Sequence, residues 1–284
     1  MAERGLGSPR FRARSRAGML TAASSVALSQ KDGNRSNRAK RVAISQSNYI
    51  PWKGYFDFIN SVDEFIVLDD VQFTKRDWRN RNKLKCPSGA CWLSIPVRVT
   101  GRYFQRINEA QVADPDWATR HWKTIESLYA RAKCFKSHKH RIEELYMRAR
   151  LDHLTEINKL FLRGICDLLG IKTLIRDSRE FRLADGRTER LLDVCQQLSA
   201  TSYYCGPRSR GYLEEERFRE AGIDVVYMDY GGYPEYPQLF GPFIHDVSVI
   251  DLILNTGDDA GTYLKTIGSR SLPGGRQPEA AYRA

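Results

Sequence analysis

Two stretches of this chain hold most of the side chains that could do chemistry. The first is Gln46-Ser47-Asn48-Tyr49-Ile50-Pro51-Trp52-Lys53-Gly54, which follows the apolar run Val42-Ala43-Ile44. Gln46, Asn48, Tyr49, Trp52 and Lys53 offer hydrogen-bond donors and a stacking face. Gly54, at the start of an apolar helical pattern, would let an anion approach free backbone N–H groups. The second stretch begins at Asp69-Asp70, after Phe65-Ile66-Val67-Leu68, and continues through Gln72, Lys75, Arg79 and Arg81. A carboxylate pair at a strand end can act as a base or hold a metal ion, and Mg²⁺ is the ion that Asp69 or Asp70 would suit. Five Lys or Arg residues follow Asp70 by Lys83, and guanidinium forks take phosphate or carboxylate bidentately. Val71 and Phe73 read as buried, which aims Asp70 and Gln72 the other way. Acid beside dense base, next to an anion loop, points to a phosphorylated or nucleotide-linked small molecule. A solvated, salt-bridged surface loop is the plain alternative.

Three weaker constellations follow. His121-Trp122-Lys123 puts an imidazole, the side chain suited to proton transfer near neutrality, early in a helical region. Gly206-Pro207-Arg208-Ser209-Arg210-Gly211 is an anion-turn candidate between strand and helix, with Gly206 and Arg208 as its contacts; it is neither a P-loop nor a GxGxxG. The aromatic segment Tyr233 to Asp246 holds Gln238 and His245 and reads as a pocket wall. There His245-Asp246 is either an acid/base pair or a helix cap supplied by Asp246.

These groups need a scaffold, and the chain alternates between two periods. Strands are expected at Val42–Ser45, Glu64–Leu68, Lys172–Arg176, Tyr203–Cys205 and Asp224–Met228, with helices at Gly54–Ser61, Arg187–Leu198, Tyr212–Ala221 and Val247–Leu254. A hairpin is expected from Leu84–Cys86 and Cys91–Val97 around Pro87-Ser88-Gly89, and a further strand within 105–112. From Trp117 to Gly170 the pattern is helical, with Ile157, Leu160, Phe161, Ile165 and Leu168 on one stripe and Gly170 as its stop. The fold class is therefore α/β, a Rossmann-like, mainly parallel sheet with a helical insertion at about 117–170. The domain is expected over 42–267, between a basic leader (1–41) and a tail (268–284).

Residues 1–41 hold ten Lys or Arg against two acids, so most of the net charge of +11 belongs to the leader. The remainder is close to neutral and does not read as a nucleic-acid binder. The leader reads as disordered, as a start assigned too far upstream, or as a transit peptide, with an RNA-binding arm the remaining alternative. No stretch reaches the roughly 18–20 apolar residues needed to span a bilayer. The six cysteines form no CxxC, so reduced thiols, no structural zinc and a cytoplasmic setting are expected. Cys86 and Cys91 should face each other near the hairpin end. Neither haem nor flavin is expected, and the oligomeric state is open.

The segments Ser45–Ile59, Leu68–Phe73, Arg79-Asn80-Arg81, Trp92–Val97, His121-Trp122-Lys123, Gly206-Pro207, Tyr236-Pro237-Gln238 and Ser248–Gly257 together resemble the WbqC-like family, in the same order, over about 42–260. The resemblance implies a bacterial cytoplasmic protein associated with O-antigen or other surface-polysaccharide genes. It also implies an acyl or aminoacyl transfer onto an amino sugar; a non-catalytic ligand-binding or partner protein of the same pathway, using the same pocket, is the alternative reading. Two departures stand out: Ser47-Asn48 replaces a Pro followed by a polar residue, and Arg208-Ser209-Arg210 is more basic than the family's usual turn. The stretch Trp52-Lys53-Gly54-Tyr55 is also similar to the HxGH segment of nucleotidylyltransferase-type proteins. Trp52 and Tyr55 stand where that segment has histidines, which removes the imidazoles that would stabilise a nucleotide phosphate.

Overall fold

The computed structural model describes residues 39–268, and most of the leader and of the tail lies outside them. Five strands form one sheet: β1 (Arg41–Ser45), β2 (Glu64–Val67), β5 (Leu174–Asp177), β6 (Ser202–Cys205) and β7 (Asp224–Tyr227). The spatial order is β5-β2-β1-β6-β7, and every pairing is parallel. The chain thus builds outward from β1 in one direction and then returns to continue from its other edge. That is the doubly wound arrangement, and it makes β1 the strand at which the winding reverses.

Residue alternation explains why these segments are strands. Ala43, Phe65 and Val67 enter one core, while Val42, Ile44, Ile66 and Leu68 enter another on the opposite face. A parallel sheet covered on both faces needs apolar residues at successive positions, and β1 and β2 supply them. The first face is covered by α1 (Lys53–Asn60), α2 (Trp117–Tyr129), α3 (Phe135–Arg148), α4 (Leu154–Leu169) and α7 (Val249–Thr256). The second is covered by α5 (Arg187–Gln197) and α6 (Glu215–Glu220) through Leu191, Val194, Cys195 and Phe218. A short α8 (Lys265–Gly268) follows.

The long link from β2 to β5 carries the antiparallel hairpin β3 (Arg81–Cys86) and β4 (Gly89–Ser94), then α2 to α4. The helical insertion shares the core of the first face, so it is built onto the sheet. Its last helix ends as the sequence indicates. Gly170 has φ 70°, and Ile171 N–H donates to the Cys166 carbonyl at 2.9 Å, which closes the helix end.

Three local expectations are corrected. Residues 105–112 form no strand, only a 3₁₀ turn at Ile107–Glu109 and isolated bridges from Arg106 to Gln72, Gln111 to His153 and Val112 to Val97. Those partners lie in three different segments, so no ladder can propagate. The helix expected from Tyr212 begins only at Glu215, because Pro207–Gly211 takes up the preceding turn as 3₁₀. Asp246 does not cap α7; Ser248 does, its Oγ accepting from Ile250 N–H at 3.3 Å, while Asp246 pairs with Lys83.

Cys86 and Cys91 lie side by side on the hairpin as free thiols, and burial together with Cys86 pushes the Cys91 thiol up to about 11. Among the described residues no helix is long and apolar enough to cross a membrane.

Candidate functional site

In a doubly wound sheet, ligands bind outside the carboxyl ends of the strands where the winding reverses, here between β1 and β6. The loop after β1 supplies Gln46 and Asn48 to this edge. The Arg79 guanidinium spans both: one nitrogen donates to Gln46 Oε1 at 2.8 Å and the other to Asn48 Oδ1. Both acceptors are neutral amides. The nearest carboxylate, Asp77, is 3.8 Å away, beyond hydrogen-bond reach. Arg79 therefore keeps much of its charge available, with an anion's geometry already laid out.

The two aspartates at the end of β2 have opposite surroundings. Asp69 is buried and accepts from Ser47 N–H at 2.8 Å, Ser47 Oγ at 2.7 Å and Thr155 Oγ1 at 2.5 Å. Burial raises its pKa, and these three donors oppose the rise. Asn158 extends the network by donating to Ser47 Oγ and to the Arg79 carbonyl, both at 2.9 Å. Asp69 thus ties the β1 loop to α4. Asp70 turns the other way, as the strand alternation requires. It lies 3.6 Å from Arg190, and its Oδ1 is buried with no partner among the described residues.

On the β6 side, Tyr230 follows β7 and packs edge-on against Trp52, with ring centroids 5.5 Å apart. A Cβ on Gly206 would sit 3.9 Å from the Tyr230 hydroxyl, so the turn after β6 passes directly beneath it. Burial pushes that phenol up to about 12. The Tyr55 hydroxyl donates to the Gln46 carbonyl at 2.6 Å and lies within the electrostatic reach of Arg79, Asp69 and Tyr230, which joins the two halves of the edge. Arg208 is exposed at the rim.

Other residues with chemical potential are used for packing. Tyr49 is fully buried, its hydroxyl 2.8 Å from His121 Nδ1 and 2.7 Å from the Tyr146 hydroxyl. Burial brings His121 down to about 4, so the imidazole is neutral. Lys53 donates to the Pro234 carbonyl at 2.5 Å and sits 5.0–5.5 Å from the ring centroids of Tyr233, Tyr236 and Phe243. Burial lowers its pKa to about 8, and its ammonium is held in this cage. Gly54 is small for Trp52, whose ring carbon would lie 2.2 Å from an added Cβ; the ring covers the start of α1 that was expected to receive an anion. Gln238 clamps its own loop. Its Oε1 accepts from Ile244 N–H at 2.9 Å, and its Nε2 donates to the Ile244 carbonyl at 3.0 Å and to Asp251 at 2.8 Å.

The rest lie at the surface. Gln72 donates to the Tyr103 carbonyl at 3.2 Å, and Lys75 is exposed. His245 is exposed and packs on Phe243, with centroids 4.6 Å apart. Arg81 lies over Trp92 with its guanidinium carbon 4.1 Å from the ring centroid. No group of three or more His, Cys, Asp or Glu side chains converges among the described residues, and Asp69 is already spent on three donors. The Mg²⁺ expectation therefore has no converging ligand set there. Two grooves lie elsewhere, one of about 630 Å³ along Gly101–Gln105 and one of about 380 Å³ along α5, and both are open to solvent. We favour the carboxyl ends of the strands over either groove, because the β1–β6 reversal point lies on that edge and the orphaned Asp70 oxygen follows β2, the strand on the other side of β1.

Sequence reasoning missed Arg190 and Tyr230. Arg190 is one polar residue on an amphipathic helix and carries no local signal. Tyr230 was within reach, because it follows closely on an expected parallel strand, where crevice residues are found.

The model of the WbqC-like protein family matches residues 46–263. The chain is also 46% identical over 226 residues to the uncharacterized protein Rv1507c of Mycobacterium tuberculosis (strain ATCC 25618 / H37Rv), which covers 80% of this chain and 98% of that protein. No solved structure matches it.

Proposed function

The chain belongs to the WbqC-like protein family, and on that premise we propose that it is a transferase acting on a nucleotide-linked or phosphorylated amino sugar for a surface glycan, by acyl or aminoacyl transfer. Arg79 grips the anionic group, exchanging the neutral oxygens of Gln46 and Asn48 for phosphate or carboxylate oxygens. Asp70 is the base. As the amine nitrogen of the sugar bonds to the acyl carbon, Asp70 takes its proton, and the donor's leaving group departs with the electron pair of the broken bond. The Tyr230 hydroxyl donates toward that leaving group, and Arg190, 3.6 Å from the carboxylate, orients Asp70. Asp69 serves as scaffold. The single observation that carries this reading is the buried Asp70 oxygen, unpartnered among the described residues, beyond the carboxyl end of β2, the strand beside β1.

The test is a thermal-shift screen of nucleotides, sugar nucleotides and aminoacyl donors, since a ligand stabilises the folded state by mass action. Turnover is then measured for any binding pair. Stabilisation by a sugar nucleotide with turnover that Asp70→Asn abolishes supports the proposal. Binding without turnover for any donor supports the second reading, a non-catalytic ligand-binding protein of the same pathway. The placement of His121 in the core and of His245 at the surface favours that second reading, because neither brings an imidazole to the crevice.

A further inference from the structure

The exposed face of the β3–β4 hairpin carries an aromatic and cationic platform that the crevice does not use. Trp78 and Trp92 are 37% and 45% exposed, and their ring centroids are 5.4 Å apart at an interplanar angle of 40°. Arg81 and Lys83 share the outward face of β3, while Asn82 and Leu84 point inward and are buried. Lys83 stands directly opposite Trp92 in the ladder, with its ammonium 5.7 Å from the Trp78 centroid and 5.9 Å from that of Trp92. Arg81 lies on Trp92, and its Nε is buried with no partner among the described residues. Asp246 reaches the same patch through its pair with Lys83 and remains 58% exposed.

Two large apolar rings held in water are costly unless something covers them. The rings touch each other, so no flat group intercalates between them; a ligand must lie on their outer faces. A pyranose offers an apolar C–H face to an indole and a rim of hydroxyls to surrounding charged groups. Here the rim meets two cations as donors and one carboxylate as acceptor. A single-stranded nucleic acid also stacks on aromatics, but it needs a run of cations along its phosphates, and Asp246 stands in its path. Two cations against one carboxylate leave the platform positive. The platform also adjoins the crevice, because the Trp78 carbonyl accepts from Tyr49 N–H at 3.0 Å and Arg79 is the next residue.

We infer that Trp78, Trp92, Arg81 and Lys83 form a binding subsite for an acidic saccharide, with the sugar stacked on the indoles and its carboxylate on the two cations. The inference stands on the hairpin alone and survives if the crevice proves non-catalytic. The test is isothermal titration calorimetry of the full chain with tetragalacturonate, cellotetraose and a short oligothymidylate. Tetragalacturonate is expected to bind more tightly than cellotetraose. Trp92→Ala is expected to weaken it about tenfold, the scale of one lost stacking contact. Trp78→Ala should act in the same direction, and Arg81→Gln should erase the preference for the acidic over the neutral sugar. Both tryptophans are more than half covered, in part by each other, so the melting temperature of each variant is measured in parallel and binding is compared where each is folded. The inference is overturned if tetragalacturonate does not bind, if both tryptophan variants bind it like wild type, or if oligothymidylate binds more tightly.

Discussion

Asp70 and Arg190 face each other at 3.6 Å beyond the end of β2, with one carboxylate oxygen buried and unpartnered among the described residues. At that separation the pair is held by charge, without a formed hydrogen bond, so the carboxylate keeps acceptor capacity for a substrate proton. Replacing Asp70 with Asn preserves shape and removes the base. Turnover should fall by at least about a hundredfold, the usual contribution of a positioned general base. Ligand affinity should change little. Parallel measurement of kcat and of Kd by calorimetry separates the two; loss of affinity equal to loss of turnover would show Asp70 to be a binding group.

Arg79 bridges Gln46 and Asn48 with two different nitrogens, a geometry that lysine cannot copy. Arg79→Lys keeps the charge and loses the fork. Affinity for a sugar nucleotide should drop about tenfold, with the smaller thermal shift as readout. An unchanged shift would mean that the fork serves only to order the loop.

Gly54 is the counterpart of Trp52. An added Cβ would overlap the indole, and that ring is held between Tyr230 and Tyr233 with little room to retreat. Gly54→Ala should destabilise the protein by about 1–3 kcal/mol, the range for overpacking. In a Trp52→Ala background the same change should cost nearly nothing, a non-additivity that urea denaturation of all four proteins would detect.

His121 supplies the pH dependence. Burial brings its pKa from 6.5 to about 4, so between those values the unfolded chain binds a proton that the folded protein does not. Stability should therefore be full above pH 6.5 and fall as pH drops toward 4, by up to about 3 kcal/mol from this group. His121→Gln keeps a hydrogen-bonding partner for Tyr49 and removes the titration. Its stability should be flatter between pH 7 and pH 4.5 in urea melts; an equal slope would place the acid sensitivity elsewhere.

The fold was legible where one residue type did one job. Strands alternating with helices marked a mainly parallel sheet, and the stripe from Ile157 to Leu168, with Gly170 after it, marked α4. Legibility failed where a partner far along the chain decides the outcome. Residues 105–112 read as a further strand, yet their neighbours lie in three separate segments. Tyr49 and His121 carry reactive groups and read as a site, but each answers the other's hydrogen bond inside the core. Asp69 and Asp70 are adjacent in sequence, and strand alternation sends them to opposite sides without saying which side holds the chemistry. Only the positions of Thr155 and Arg190 distinguish scaffold from candidate base.

The strand order also governs how the chain is made. β1 pairs with β2 after a separation of 22 residues, but its other edge waits for β6, about 161 residues later. Through most of synthesis Val42-Ala43-Ile44 therefore presents an open apolar edge, a template for strands of other nascent copies. Contacts of such long separation form slowly. The yield of soluble protein is then set by how long that edge stays bare, and a truncation ending before Ser202 leaves it bare for good.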